Sequence, residues 1–137
     1  MVKNAIVMKT VDYIEDNLDG ELTLDIIANE MLYSKFHLNR LFSEEVGCTI
    51  HKYIQMRRLT ESAEKLVNTD KPIVQIAFEA HYNSQQSFTF AFRELYVFTP
   101  QEYRVKRTFT PKRSRFTMNK NFTMIHKSIA SYEAMAA

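Results

Sequence analysis

Apolar residues recur at three- and four-residue intervals along most of the chain, the spacing that gives a helix one buried stripe. Across residues 4–18, Ile6, Val7, Val11, Tyr13, Ile14 and Leu18 keep this rhythm, and Asp19-Gly20 offers a glycine able to close the helix. Thr23 stands where a side-chain oxygen caps the next one. Residues 51–67 carry Ile54, Leu59, Ala63 and Leu66 with charged side chains between them, which predicts a connecting helix about 25 Å long at 1.5 Å per residue. Its Arg57 and Arg58 can touch a phosphate or pair with Glu61 and Glu64, and helical spacing favours pairing. Pro72 falls where the first turn of a following helix tolerates it. Thr99-Pro100-Gln101-Glu102 has the cap, first-turn proline and reciprocal glutamate of a capping box.

Two segments, 26–53 and 74–103, repeat one apolar pattern. Ile27-Ala28 matches Ile76-Ala77, and a tyrosine follows each alanine by five residues, at Tyr33 and Tyr82. A polar cap comes next, Ser34 or Asn83-Ser84, then Leu38 and Phe42 in one segment and Phe88 and Phe92 in the other. Eleven residues beyond each of those phenylalanines lies another tyrosine, Tyr53 or Tyr103, and one residue inserted after Tyr82 absorbs the only offset. Each segment predicts a short helix with a small residue on its packed face, a tight turn and a second helix with one side buried: a helix-turn-helix. Any small helical protein has helical hairpins, but here the spacing recurs through nearly thirty residues. The expected fold class is all-α, two helix-turn-helix subdomains joined by a long connecting helix, about seven helices in all. The expected boundaries are 1–50 for the first subdomain, 51–68 for the connector, 69–107 for the second subdomain and 108–137 for a basic C-terminal extension, partly disordered.

Composition agrees with helices and narrows the chemistry. The 137 residues include two glycines and three prolines, too few turn formers for an all-β chain. No apolar run reaches the length of a membrane span, and the N-terminal residues lack the core and cleavage site of a signal peptide. A single cysteine, Cys48, allows no internal disulfide. A soluble cytoplasmic protein is the expectation. Residues 1–67 hold eight basic and eleven acidic side chains and residues 68–137 hold ten and five, so the halves carry −3 and +5. Such polarity suits a polyanion partner or a solvated basic tail. An enzyme reading finds little: His37, His51, His81 and His126 are scattered without metal-ligand spacing, and there is no glycine-rich phosphate loop or nucleophile elbow. No cofactor and no metal are expected.

The stretches YSKFHLNRLF, KYIQMRRLTESAEKL, PIVQIAFEAHYNSQQSFTFAF and TPQEYR, in that order and spacing, resemble the DNA-binding region of the AraC/XylS family of bacterial transcription activators. The resemblance covers roughly residues 4–107. With few residues before the first helix, the chain looks like the short stand-alone members, which implies control by abundance and, by analogy, stress-response or antibiotic-resistance genes. It also implies a monomer on an asymmetric site, one recognition helix per unit entering successive major-groove segments about 34 Å apart. Double-stranded DNA and RNA polymerase are the implied partners, and the bacterial nucleoid the implied place.

Arg40 is the sharpest candidate for base reading, since its planar fork can bond both acceptors of guanine. Phe36 can pack on thymine methyl groups: Leu38, Leu41 and Phe42 already supply this helix's core, so an outward aromatic calls for a reason. Asn39 can bond a base edge or a phosphate. Ser34, Lys35 and His37 are candidates for the DNA backbone, His37 being as plausible a plain solvent-facing residue. In the second unit Gln85, Gln86, Thr89 and Phe90 are the candidate base readers, with Ser84, Ser87 and Arg93 on the backbone. Glutamine pairs with adenine but is also a common surface residue, and the resemblance is what strengthens both. Arg104, Lys106 and Arg107 follow as phosphate contacts, within a run from 104 to 115 that holds no acid. Two departures stand out. Phe90 occupies a position where family relatives offer arginine, implying methyl contacts or backbone and shape recognition there. Leu32 and His81 occupy turns where relatives often use glycine in a left-handed conformation, costing leucine on the order of 1–2 kcal/mol. The alternative is a helical module that binds only protein, with Phe36, Phe90 and the glutamines facing the partner chain.

Overall fold

Four side-chain oxygens begin four of the helices. Thr23 accepts from the Ile26 amide, Ser34 from His37, Ser84 from Ser87 and Thr99 from Glu102, satisfying N–H groups that a helix start leaves without intrahelical partners. At Thr99 the capping box is complete, because Glu102 returns a bond to the Thr99 amide at 2.8 Å and its carboxyl is thereby lowered from the usual range. The computed structural model describes residues 2–118. Among these the architecture is all-α, with seven helices and no strand: α1 Val2–Asp16, α2 Leu24–Met31, α3 Lys35–Val46, α4 Ile50–Asn68, α5 Ile73–Glu79, α6 Gln85–Tyr96 and α7 Pro100–Lys106. Residues 119–137, which carry the end of the expected extension, lie outside the described residues.

Among the described residues the chain divides into two compact units, one built from residues 2–52 together with 115–118, the other from 53–114. In the first, α1, α2 and α3 pack pairwise around Val7, Val11, Ile14, Ile27, Leu38 and Phe42, all fully buried. Helix α1 stops short of the expected glycine. Asn17 turns its side-chain amide back to the Tyr13 carbonyl at 2.8 Å, taking up an acceptor the last turn leaves open, and Gly20 is not left-handed. Phe116 is buried in this unit, and Arg115 beside it pairs with Asp12 of α1.

The second unit is organised by aromatic rings. Phe92 of α6 stacks on Tyr96 with centroids 4.8 Å apart, meets Tyr103 of α7 edge-on at 5.5 Å and touches Phe88 at 5.7 Å. Leu59, Ala63 and Leu66 of α4 and Ile76 and Ala77 of α5 complete the core. Lys65 holds the Glu79 carboxylate at 3.0 Å and Lys71 and Gln75 add further bonds, which brings its pKa down to about 2 against the opposing effect of burial.

Residues 108–114 do not project as a solvated tail. The Tyr96 hydroxyl donates to the Thr110 carbonyl at 2.9 Å, the Thr110 amide donates to the Tyr103 hydroxyl at 2.8 Å, and the Arg113 amide donates to the Thr60 hydroxyl at 3.1 Å. Arg57, 7% exposed, pairs with Glu61 at 2.9 Å and donates to the Arg113 carbonyl at 3.0 Å. It is a buried fastener for this segment. Burial pushes the Tyr96 hydroxyl up to about 12, so it stays protonated and able to donate.

Both short hairpins turn alike. The Tyr33 amide donates to the Ala28 carbonyl and the Tyr82 amide to the Ala77 carbonyl, each at 3.1 Å, the six-to-one bond of a Schellman motif. The residue before each tyrosine is left-handed, Leu32 at φ 61° and His81 at φ 69°. Leu32 is 90% exposed, so its side chain gains little packing to offset that conformation. Leu32→Gly is expected to raise stability by about 1 kcal/mol, read as a higher urea midpoint at unchanged slope. A lower midpoint would show that the strain is absent.

Candidate nucleic-acid interface

In each unit the second helix of the hairpin buries one stripe and leaves another bare. On α3 the buried stripe is Leu38, Phe42 and Val46, and on α6 it is Phe88, Phe92 and Tyr96, every fourth residue in both. The opposite faces begin at the capped first turns. Lys35, Phe36, His37 and Arg40 are exposed on α3, and Gln85, Gln86, Ser87, Phe90 and Arg93 are exposed on α6. Phe36 is 80% and Phe90 69% exposed, unusual for large rings on helices that already have a complete core stripe.

The two faces share a register, position for position fifty residues apart from Ser34/Ser84 onward. Phe36 matches Gln86, and Arg40 matches Phe90. Each pair is four residues apart on its helix and so projects on one side. Around Phe90 a shallow depression is lined by Gln86, Thr89, Phe90, Arg93, Glu94 and Val97. Glu94 and Val97 were not among the expected contacts. Their spacing of four and seven from Phe90 was the available signal.

Several expected contacts have structural partners. Lys35 pairs with Asp25 at 3.2 Å, both side chains remaining partly exposed. The His37 ring lies 5.3 Å from that of Tyr33. Ser34 and Ser84 use their oxygens as caps, and Ser87 donates back to the Ser84 carbonyl at 3.0 Å. Lys106 sits over the Phe98 ring, 4.0 Å from its centroid, while Arg107 is the exposed left-handed residue ending α7.

Two candidates are placed differently from the expectation. Asn39 is half-buried, and its Oδ1 accepts from the Ile50 amide at 3.0 Å, fixing the start of α4 against α3. At the matching position of the second unit stands Pro100, which has no N–H, and Asn39 is matched there by Thr89. Arg104 turns inward: its guanidinium donates to the carbonyls of Leu66 at 2.9 Å, Lys71 at 2.7 Å and Thr69 at 3.4 Å. It closes the C-terminal end of α4 and the turn after it, where carbonyls lack helical partners. Both side chains fasten helices within their own unit.

Among the described residues there is no group of three or more His, Cys, Asp or Glu side chains able to hold a metal ion, and no helix is long and apolar enough to cross a membrane.

Known proteins share both the hairpins and their order. A helix-turn-helix domain family model matches residues 27–106, spanning both hairpins. The HTH-type transcriptional regulator YbfP of Bacillus subtilis is 37% identical over 121 residues, 88% of this chain but 41% of that longer protein. The chain thus spans under half the length of that relative. The multiple antibiotic resistance protein MarA of Escherichia coli is 37% identical over 103 residues, 74% of this chain and 81% of MarA. Among solved structures, a transcriptional regulator with an AraC-type DNA-binding domain from Chromobacterium violaceum superposes with a TM-score of 0.72 at 30% identity, covering 77% of this chain and 94% of that one. With two matched hairpins, their bare second helices and these relatives together, the chain belongs to the AraC/XylS family of helix-turn-helix, DNA-binding transcription regulators, not to a family of enzymes.

Proposed function

We propose that the chain is a transcription activator that binds an asymmetric DNA site as a monomer, laying α3 and α6 in successive major-groove segments. The observation that carries this reading is the pair of bare faces in one register, Phe36 with Arg40 and Gln86 with Phe90, on helices whose other stripe is wholly buried. Two different faces in one chain suit an asymmetric site, as two identical ones in a dimer suit a palindrome. Arg40 and Phe36 read bases in one segment, and Gln85, Gln86, Thr89 and Phe90 in the other. Lys35, His37, Ser34, Ser84, Ser87, Arg93, Lys106 and Arg107 supply backbone contacts, with Asn39 and Arg104 holding the helices that carry them. On this reading the first reading helix belongs to the unit that ends at 52, and the connecting helix, whose Leu59, Ala63 and Leu66 lie in the second core, to the unit that carries the second. Activation requires RNA polymerase as second partner, on the bacterial nucleoid, and the likeness to MarA supports genes of stress or drug resistance as targets.

The test is a salt titration of binding to a specific duplex and a scrambled one. Both affinities should rise as salt falls, with log affinity against log salt sloping by about −0.9 per phosphate neutralised, the specific duplex staying tighter throughout. Titration with excess protein should saturate at one chain per site. Salt-independent affinity on both duplexes would leave the protein-only interaction module standing instead.

A further inference from the structure

We infer that α6 recognises a pyrimidine 5-methyl group through Phe90, so that the two units read one hydrogen-bonding base and one methyl-bearing base each, in opposite order along their helices. The inference rests on the DNA-binding reading above. On α3 the ring comes first and the polar fork four residues later, Phe36 then Arg40; on α6 the polar side chain comes first and the ring follows, Gln86 then Phe90. Both rings stand free of their cores, at 80% and 69% exposure.

A phenyl ring can accept only an apolar group as a close neighbour without cost. Guanine and adenine present acceptors and donors along the major-groove edge, and cytosine presents a donor. A ring pressed on those atoms removes their water and returns no hydrogen bond, which is unfavourable. Thymine alone among the four bases carries an apolar group there, its 5-methyl. Val97, seven residues on at the C-cap of α6, lines the same depression and widens the apolar surface. Arg93 on that depression, with Lys106, Arg107 and Lys112 exposed in the same unit, gives the charge complementarity that a phosphate-lined groove needs and an apolar protein surface does not. Glu94 is the acid on this face.

The experiment uses the full chain and a duplex it selects from a random-sequence pool, with each thymine replaced in turn by uracil. This exchange deletes the methyl and leaves every hydrogen-bonding group in place. At one position in the α6 half of the site the exchange should weaken wild-type binding about fourfold, the worth of one methyl-sized group. Phe90→Ala should bind thymine and uracil duplexes alike at that position, Phe90→Leu should keep part of the preference, and Phe36→Ala should leave it intact. The proposal is overturned if Phe90→Ala still distinguishes the two duplexes, or if wild type responds to no exchange beyond those Phe36→Ala silences. Wild-type affinity of Phe90→Ala on every duplex would assign the ring to a protein partner. If wild type selects no duplex and its binding ignores salt, the DNA reading itself fails and this inference falls with it.

Discussion

Phe92→Ala is expected to destabilise the second unit by about 3–5 kcal/mol, the usual cost of deleting a fully buried phenyl ring. Its ring has no exposed surface and sits between Phe88, Tyr96 and Tyr103, so truncation removes apolar burial, a stacked contact and an edge-on contact at once. The neighbours cannot collapse freely into the space. Tyr96 and Tyr103 are tied by their hydroxyls to residues 110 and 112, and moving either ring breaks those bonds. A small domain has about 5–15 kcal/mol in total, so this one change should bring the unit close to unfolding at ordinary temperature. Chemical denaturation followed by far-UV circular dichroism checks it. Phe90→Ala is the control, since a ring 69% exposed on the same helix should change stability by no more than about 0.5 kcal/mol. A loss below about 1 kcal/mol for Phe92→Ala would contradict an aromatic core built around this ring.

Arg40→Ala is expected to weaken specific DNA binding by about 1–3 kcal/mol while leaving binding to scrambled DNA nearly unchanged. Arg40 is exposed on the bare face of α3, one turn beyond Phe36. A bidentate bond to guanine depends on the planar fork as well as the charge, so Arg40→Lys should lose much of the discrimination and retain the attraction to phosphate. The measurement is a binding isotherm on both duplexes at one salt concentration, because affinities at different salt are not comparable. Equal losses on specific and scrambled DNA would reassign Arg40 to the backbone.

Much of this protein is legible in its residues because its governing rules are local. A helix start favours a side-chain oxygen just before it, and Thr23, Ser34, Ser84 and Thr99 announce theirs. A buried stripe needs apolar residues every three or four positions, and Leu38/Phe42 and Phe88/Phe92 show it twice in one register. The bare faces follow by subtraction. The internal bonds of Asn39 and Arg104 are not legible in the sequence, for one reason. Their polar atoms are satisfied by backbone groups 11 and between 33 and 38 residues away, and a polar side chain carries no mark of whether its partner is the chain's own backbone or a ligand.

The C-terminal segment shows the same limit from the other side. A run of basic residues reads as a phosphate strip or a solvated tail, yet Thr110, Lys112 and Arg113 are held by Tyr96, Tyr103, Thr60 and Arg57. Leu32 and His81 in the hairpin turns were legible as conformational oddities, and the left-handed backbone is there. The sequence by itself determined the helices, the repeat and the pair of unequal outward faces, because periodicity and capping act over a few residues. Only the tertiary structure decided which polar side chains fasten the scaffold and which remain bare on it, because that depends on which distant backbone groups the folded chain brings within hydrogen-bond reach.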